Sequence, residues 1–184
     1  MSTSPMKTKG RRALRGLTLG VTAIALTTVG LGSAPASAAT GTVAYSCSIF
    51  STKFDYKARV TMKGSKKRSV GDTVTITADF SALPGVSPVA VDSWKTAGKF
   101  TVSGAQKTSV NATGPKKTGP IKPKGKIPIG KLTGKLKLKK AGKISLTTGT
   151  LKITAVAYGS SVTMPCTPKK NKPLPKLLKL TVKR

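Results

Sequence analysis

The sequence predicts an all-β domain, a β-sandwich closed by one disulfide, and three observations support this fold class. Apolar residues recur at every second position through most of the chain after residue 42, which is the period of a half-buried strand. Gly and Pro divide these runs into seven to nine short segments, and no convincing long helix interrupts them. The two cysteines, Cys47 and Cys166, fall in an early and a late run.

The first 38 residues are predicted to be an export signal. Five basic residues precede an uncharged apolar run at 17–31, and the Ala-Ser-Ala sequence at 36–38 has the small residues that a signal peptidase requires. The apolar run is about 15 residues long, shorter than the ~20 residues of a membrane span. We therefore expect cleavage after Ala38, with no transmembrane segment afterwards, and a mature part of single-domain length at 39–184.

Two export routes fit this signal. The Arg11-Arg12 pair resembles a twin-arginine signal, but Arg15 suits that route poorly, and paired arginines are common in ordinary signals. We prefer the general secretory route. Either route predicts a secreted protein, extracellular or associated with the cell wall.

Cys47 and Cys166 are predicted to form a disulfide, because disulfides persist in an exported protein. The alternatives are two unpaired buried thiols or a metal pair, and two thiolates without a histidine make a poor zinc site. The bridge is expected to join the two sheets of the sandwich. Since Leu, Ile, Val and Phe are sparse for such a high net charge, this crosslink should contribute much of the stability.

The first half of the mature chain is predicted to form a three-stranded meander at 43–49, 54–62 and 70–80. Apolar and polar residues alternate in each run. The second run places Tyr56 and Val60 on one face and Lys57 and Arg59 on the other. Residues 64–68 read as a polar turn.

The middle of the chain is less regular. Ser87 and Pro88 resemble a helix N-terminus, which predicts a short helix at 89–95 that carries Trp94. A strand resumes at Phe100. Residues 114–130 are rich in Gly, Pro and Lys and are predicted to form a long exposed loop, because each proline removes a hydrogen-bond donor from a sheet.

Alternation then returns in five runs, interrupted by Gly149 and Gly159. We expect strands at 132–138, 144–146, 151–157, 162–166 and 178–182. A second segment rich in Lys and Pro begins the basic C-terminal part at 169–184.

Short motifs near both ends resemble a family of secreted actinobacterial immunoglobulin-like domains of unknown function. They are Val-Ala-Tyr-Ser-Cys at 43–47, Val-Gly-Asp-Thr-Val at 70–74 and Val-Thr-Met-Pro-Cys-Thr-Pro at 162–168. The resemblance covers most of 42–182 and implies an immunoglobulin-like antiparallel sandwich and export. The family has no established activity, and this chain departs from it in its lysine excess.

The composition argues against an enzyme. The chain has no His and no Glu, and its four acids are Asp55, Asp72, Asp79 and Asp92, so no Ser-His-Asp site or histidine-based metal motif can form. A glycosidase pair of aspartates is disfavoured because these residues read as strand-surface and turn positions. The Gly-Lys spacing at 125–131 lacks the Ser or Thr of a phosphate loop, since Leu132 stands there. We expect no catalytic residue, cofactor or metal.

Positive charge is the strongest signal. Five of the 34 Lys and Arg residues lie in the expected signal, so 29 basic residues face four aspartates in the mature part, a net charge of +25. A field of this size attracts polyanions. Eleven lysines concentrate at 116–143 and are predicted to bind them: Lys116, Lys117, Lys122, Lys124, Lys126, Lys131, Lys135, Lys137, Lys139, Lys140 and Lys143.

The basic residues are mostly Lys, and no aromatic residue lies at 114–143. Base readout favours Arg and single-strand binding favours stacking aromatics, so sequence-specific nucleic-acid binding is not expected. The predicted partners of a monomer are teichoic-type wall acids or anionic lipid head groups. One alternative is a structural domain whose lysines only maintain solubility. Another is a membrane-active protein acting through 135–139, although the period of two there fits a strand better.

Overall fold

Eleven β-strands and no helix make up the part of the chain that the structure describes. This computed structural model describes residues 36–65 and 67–184; most of the expected export signal, residues 1–35, lies outside them. The strands are β1 (Ala36–Ile49), β2 (Thr52–Ser65), β3 (Lys67–Ser69), β4 (Thr73–Phe80), β5 (Val91–Gly104), β6 (Thr108–Thr113), β7 (Lys117–Ile121), β8 (Gly130–Lys137), β9 (Gly142–Ala157), β10 (Ser160–Pro168) and β11 (Leu178–Lys183).

All of these strands join in one mixed sheet in the order β3-β11-β9-β10-β1-β2-β4-β8-β6-β5-β7. Because β9 also pairs with β5, the eight strands from β9 to β5 form a closed circuit of hydrogen-bonded neighbours. The predicted all-β class is confirmed. The described strands do not divide into two separate sheets by their pairing, and the parallel pair of β3 and β11 makes the sheet mixed rather than purely antiparallel.

The core fills the inside of this circuit because successive side chains of a strand point to opposite faces. The alternation is complete in β4 and β8, where every second residue is buried. The largest side chains of the core include Tyr45, Tyr56 and Phe100, all at most 1% exposed. The rings of Tyr45 and Tyr56 stack with their centroids 5.9 Å apart, which joins β1 to β2.

The predicted meander is confirmed in β1, β2 and β4, which are consecutive antiparallel neighbours. Tyr45 lies opposite Tyr56, and Val60 lies opposite Phe80. Residues 36–38, the end of the expected signal, form the start of β1 opposite residues 63–65. Cleavage after Ala38 would therefore shorten β1 by three residues and leave the rest of its pairing with β2.

The predicted helix at 89–95 is wrong, since residues 91–104 form strand β5. Ser87 does not cap a helix: its hydroxyl donates to the Val89 carbonyl at 2.7 Å. Trp94 lies opposite Ala155 of β9, and its indole N–H donates to the Pro128 carbonyl at 2.8 Å. Pairing with neighbouring strands on both sides thus outweighs the local cap pattern.

The predicted loop at 114–130 is wrong in part, because it contains strand β7. Proline is tolerated there since β7 lies at the end of the strand order and pairs only with β5 among the described strands. Ile127 and Ile129 are buried, and Ile127 exchanges both backbone hydrogen bonds with Leu83, at 2.8 and 3.1 Å. The segment is therefore tied to the body of the domain at its second half.

Other boundaries differ from the prediction as well. Of the polar turn expected at 64–68, Gly64 and Ser65 end β2, and Lys67 and Arg68 belong to β3, which pairs with β11 in parallel register. Lys66, the middle of the expected turn, lies outside the described residues. Val70 precedes β4 and is exposed. Gly149 does not end a strand, because β9 is continuous. Gly159 does lie between two strands, with a positive φ of 72°.

The predicted disulfide between Cys47 and Cys166 is confirmed, but a bridge between two sheets is wrong. The two residues lie opposite each other on the adjacent strands β1 and β10. Opposite residues of an antiparallel pair project to the same face, so the bond forms within the sheet. Both cysteines are buried.

Candidate polyanion-binding surface

The eleven predicted lysines all reach the surface, ten as exposed residues and Lys117 as a partly exposed one. The fold arranges them along strand β8 and beyond its two ends. We call them the loop group (Lys116, Lys117, Lys122, Lys124 and Lys126), the β8 row (Lys131, Lys135 and Lys137) and the turn group (Lys139, Lys140 and Lys143).

The β8 row follows from the alternation of the strand. Leu132, Gly134 and Leu136 face the core, so Lys131, Lys135 and Lys137 at the alternate positions face outward, with Thr133 between the first two. Positions two apart on a strand are separated by about 7 Å. Opposite this row, strand β4 supplies Thr73 beside Lys137 and Thr75 beside Lys135, both exposed. No like charge therefore lies directly across from these two lysines on β4.

The turn group lies where β8 ends. A shallow cavity of about 390 Å³ opens there, lined by Lys139 and Lys140 from one side and by Lys107 from the β5–β6 turn on the other. Buried Gln106 fixes the two turns together. Its amide nitrogen donates to the Lys137 carbonyl at 3.1 Å, and its amide oxygen accepts from the Lys139 backbone N–H at 2.9 Å.

A close backbone contact supports the same cavity. The Ala105 N–H donates to the Lys143 carbonyl at 3.0 Å. Gly104 has a φ of 100°, and a Cβ at this position would lie 2.4 Å from the Lys143 carbonyl oxygen. Only glycine, which has no Cβ, avoids this clash. These contacts hold Lys107 near the turn group on a defined backbone.

The loop group lies beyond the other end of β8. The Lys124 N–H donates to the Ser87 carbonyl at 2.7 Å, and the Lys117 ammonium donates to the Pro128 carbonyl at 3.1 Å. Lys116, Lys122 and Lys126 are exposed. The backbone of this segment is thus anchored while most of its charges stay in solvent.

The three groups together form an elongated footprint, because the eight residues of β8 span roughly 23 Å. Charge is distributed unevenly around the closed circuit. β8 carries three lysines and no acid, whereas β1 and β10, on the other side of the circuit, carry no charged residue. An extended anion along β8 therefore meets successive lysines.

Three of the four aspartates have hydrogen-bond or ion-pair partners. Asp55 pairs with Lys169 at 2.6 Å, an ion pair with both side chains partly in solvent. Asp72 accepts from the Ser69 N–H and Asp92 accepts from the Tyr158 N–H. The fourth, Asp79, lies opposite Lys131 at the start of the β8 row. Asp72 lies beside the other end of the row, since the Leu138 N–H donates to its carbonyl at 2.9 Å, and no other acid on β4 lies beside the row.

The basic C-terminal segment at 169–184 is not gathered into the same surface. Its first part lies against β1, since the Lys169 N–H donates to the Ala44 carbonyl at 2.9 Å. Its last part, β11, runs beside the beginning of β9, where Thr181 lies opposite Lys143. Only this last part adjoins the turn group.

Sequence reasoning missed two features of this surface. Lys107 lies outside the predicted lysine cluster, and only the pairing of β5 with β6 brings it to Lys139 and Lys140. The absence of charged residues from β1 and β10 could have been predicted from the sequence. Their position across the circuit from β8 could not, because it depends on the strand order.

In comparisons with protein-family models, curated proteins and solved structures, no significant match to this chain was found. Within residues 36–65 and 67–184, no three His, Cys, Asp or Glu side chains gather as a metal site would require. None of the same residues forms a helix of the length and apolarity that crossing a membrane takes.

Proposed function

We propose that this protein is a secreted, non-catalytic cationic module that associates with anionic polymers of the cell envelope or its surroundings. The observation that carries the proposal is the row of exposed lysines along β8, extended at both ends by the loop and turn groups. Coulomb attraction and counterion release need regular charge rather than a shaped pocket. A flexible polyphosphate can meet this requirement along its length.

The chemistry of the footprint favours wall polymers over sequence reading of nucleic acid. The footprint contains lysine and no arginine, and lysine binds phosphate as a point charge rather than as a bidentate fork. The exposed aromatic residues Phe50 and Tyr158 lie outside the three lysine groups. Teichoic-type wall acids are therefore the proposed ligands, and anionic lipid head groups share the same phosphate chemistry.

Export supports this choice of partner. The disulfide is typical of an oxidising compartment, and the predicted signal would take the chain there. Membership of an immunoglobulin-like family of secreted domains stays a proposal that rests on the Tyr-x-Cys and Pro-Cys-Thr motifs.

The second candidate function is a structural extracellular domain without a dedicated ligand. Exposed lysines on other strands, such as Lys95, Lys99 and Lys152, favour it, because charge spread over the surface maintains solubility. A membrane-active role is less favoured. Leu136 and Leu138, the apolar partners of the Lys-Leu alternation, are buried in the core.

Titration with poly(glycerol phosphate) separates the two candidates. We expect saturable binding at about 50 mM salt that weakens at least tenfold at about 150 mM salt, because bound phosphates release counterions. Dextran, an uncharged polymer, serves as the control and should not bind. Absence of saturable binding at either salt concentration would establish the structural alternative.

A further inference from the structure

An apolar cleft lies at the end of the molecule where the β1–β2 and β9–β10 turns emerge. Its volume is about 340 Å³, at the lower end of small-ligand sites. Its walls include the buried side chains of Val91, Ile127, Ala155 and Met164. None of the eleven lysines lines it, although Lys124 and Lys126 of the loop group are hydrogen-bonded or adjacent in sequence to residues that do.

Two exposed aromatic residues flank the cleft. Phe50 is 81% exposed and Tyr158 is 80% exposed, and both are among the residues that line the cleft. Both also have positive φ, 51° and 48°, as the first central residue of a two-residue hairpin turn does. The fold thus holds two large side chains in solvent at the tips of two turns beside the cleft.

The chemistry of the walls indicates an apolar ligand. Besides the Tyr158 phenol, the polar side chains of the lining are the hydroxyls of Ser87 and Ser160. The Ser87 hydroxyl already donates to the Val89 carbonyl. A sugar or nucleotide would leave most of its polar groups unpaired here, which is costly. An apolar cavity of about 150 Å³ can bind benzene, so this larger cleft has room for part of a hydrocarbon chain.

Charges of both signs lie near the cleft. The Asp92 carboxylate accepts from the Tyr158 N–H at 3.1 Å, and two lysines are adjacent to other residues of the lining. Lys126 directly precedes Ile127, and the Lys124 backbone N–H donates to the carbonyl of Ser87. Ile127 and Ser87 both line the cleft, whereas the two lysines are exposed. The two lysines outnumber Asp92, so the net charge near the cleft favours a ligand with a negative head group over one with a positive head group.

We propose that the cleft binds the hydrocarbon chain of a single-chain anionic amphiphile, such as a fatty acid or a lysophospholipid with an anionic head group. The chain lies against Val91, Ile127 and Met164 and is covered by Phe50 and Tyr158. The carboxylate or phosphate faces Lys124 and Lys126. This site is additional to the proposed polymer binding. It shares Lys124 and Lys126 with the loop group and does not depend on the β8 row.

Trp94 provides the readout, since it is the one tryptophan of the chain. It lies opposite Ala155, a residue of the cleft, and its indole N–H is bonded to Pro128 beside Ile127. Titration of the protein with monomeric myristate should produce a saturable change in Trp94 emission at a ratio of one to one. Lysophosphatidylglycerol of the same chain length should bind as well, and the lysophosphatidylcholine analogue more weakly.

Two variants locate the site. Ala157→Phe places a ring in the cleft from a partly buried lining position and should reduce affinity at least tenfold, whereas Ala97→Phe, on a strand position outside the lining, should not. Changing Lys124 and Lys126 to Gln should weaken myristate binding roughly three- to tenfold without affecting monomyristoylglycerol, which is uncharged. Changing Lys170 and Lys172 to Gln is the matched control.

The proposal is overturned if the parent protein shows no saturable response to myristate. It is also overturned if Ala157→Phe, folded by circular dichroism, binds as tightly as the parent. If the protein binds phosphatidylglycerol vesicles but not the monomeric amphiphile, the amphiphile site is wrong. This end of the molecule would then be a membrane-docking surface. The parent protein could instead form a dimer without ligand, and the double variant Phe50→Ser and Tyr158→Ser could lose that association. This outcome would overturn the proposal in favour of self-association through the cleft. A displacement assay needs no variant. Myristate should displace the fluorescent anion anilinonaphthalene sulfonate from the parent protein.

Discussion

Cys47 and Cys166 lie directly opposite each other on the antiparallel strands β1 and β10, with 4.0 Å between their Cα atoms. The pair is 119 residues apart in sequence and is buried. The bond therefore ties the beginning of the domain to its penultimate strand at a point where the two strands already pair. Its effect on the free energy of unfolding comes from the long loop that it closes in the unfolded chain.

We expect the double variant Cys47→Ala and Cys166→Ala to lose about 4 to 5 kcal/mol of unfolding free energy, the loop-closure value for a separation of this length. The measurement is urea denaturation followed by circular dichroism. Mass spectrometry of the secreted parent protein should find no free thiol. Two free thiols, or a variant as stable as the parent, would contradict this assignment.

The two stacked tyrosines should respond differently to loss of their hydroxyl groups. The Tyr56 hydroxyl donates to the Ser81 carbonyl at 2.6 Å, so Tyr56→Phe should cost about 1 kcal/mol. The Tyr45 hydroxyl is buried without a hydrogen-bond partner of good geometry, so Tyr45→Phe should be neutral or stabilising. Urea denaturation of both variants at neutral pH makes the comparison, and the opposite ranking would contradict it.

Alkaline pH should destabilise the fold through Tyr45. Burial raises the pKa of the Tyr45 hydroxyl above its ordinary value of 10.0, more than the neighbouring Thr148 hydroxyl lowers it. The neutral form of Tyr45 is therefore favoured in the folded state. Its contribution to the free energy of unfolding is fully present below pH 10, and it is lost above pH 10 as the tyrosine ionises in the unfolded chain. The stability of Tyr45→Phe relative to the parent should rise by up to about 1.4 kcal/mol per pH unit above pH 10.

The parent and variant must be compared at each pH. Ionisation of every group that the two proteins share then cancels in the difference. A difference in unfolding free energy that stays constant between pH 9 and about pH 11 would show that Tyr45 does not remain protonated in the folded state.

Gly104 and Gly71 form a matched pair of glycines with positive φ, 100° and 95°. A Cβ at Gly71 would meet no atom within 4 Å, whereas a Cβ at Gly104 would lie 2.4 Å from the Lys143 carbonyl oxygen. We expect Gly71→Ala to cost about 1 kcal/mol from backbone strain alone, and Gly104→Ala to cost at least twice as much. If thermal or urea denaturation shows the same loss of unfolding free energy in both variants, the backbone beside Lys143 can move to accommodate a Cβ at residue 104.

Most strands could be predicted from the sequence, because their inward positions alternate without interruption. β4, β8 and β11 are examples, and their burial follows the predicted period of two. β5 was missed at its start because Ser87 and Pro88 carry a genuine local helix signal. The pairing of Trp94 with Ala155, which decides the outcome, involves a strand more than fifty residues away.

The polar strands β3, β6 and β7 could not be predicted for a related reason. They have few apolar residues, and they are strands because a neighbour supplies hydrogen bonds, as β11 does for Lys67 to Ser69. The lysine-rich segment was visible in the sequence. Its division into groups at opposite ends of β8, and the addition of Lys107, depend on topology. The cleft beside Phe50 and Tyr158 left no sequence signal, because its walls come from distant parts of the chain.

The loop group should contribute to polymer binding with little effect on stability. Changing Lys116, Lys117, Lys122, Lys124 and Lys126 to Gln should weaken binding of poly(glycerol phosphate) and reduce its salt dependence. The melting temperature should change little because exposed charges contribute little to folding. Five basic residues of β2 and β3, changed to Gln, serve as the control of equal net charge: Lys53, Lys57, Arg59, Lys63 and Lys67. Loss of binding in the control but not in the loop variant would contradict the assignment of the loop.

The most direct test of the central claim is the salt dependence of poly(glycerol phosphate) affinity in two variants of equal net charge. The first removes charge from the β8 row and turn group, and the second removes it from β5, β9 and the C-terminal segment. The first changes Lys131, Lys135, Lys137, Lys139 and Lys140 to Gln, and the second changes Lys95, Lys99, Lys152, Lys170 and Lys172 to Gln. The measurement is isothermal titration at several salt concentrations. The negative slope of log affinity against log salt should become shallower by about 3 in the first variant and should stay close to the parent value in the second. Equal slopes in the two variants would mean that the polymer senses only net charge, and the β8 footprint would be wrong.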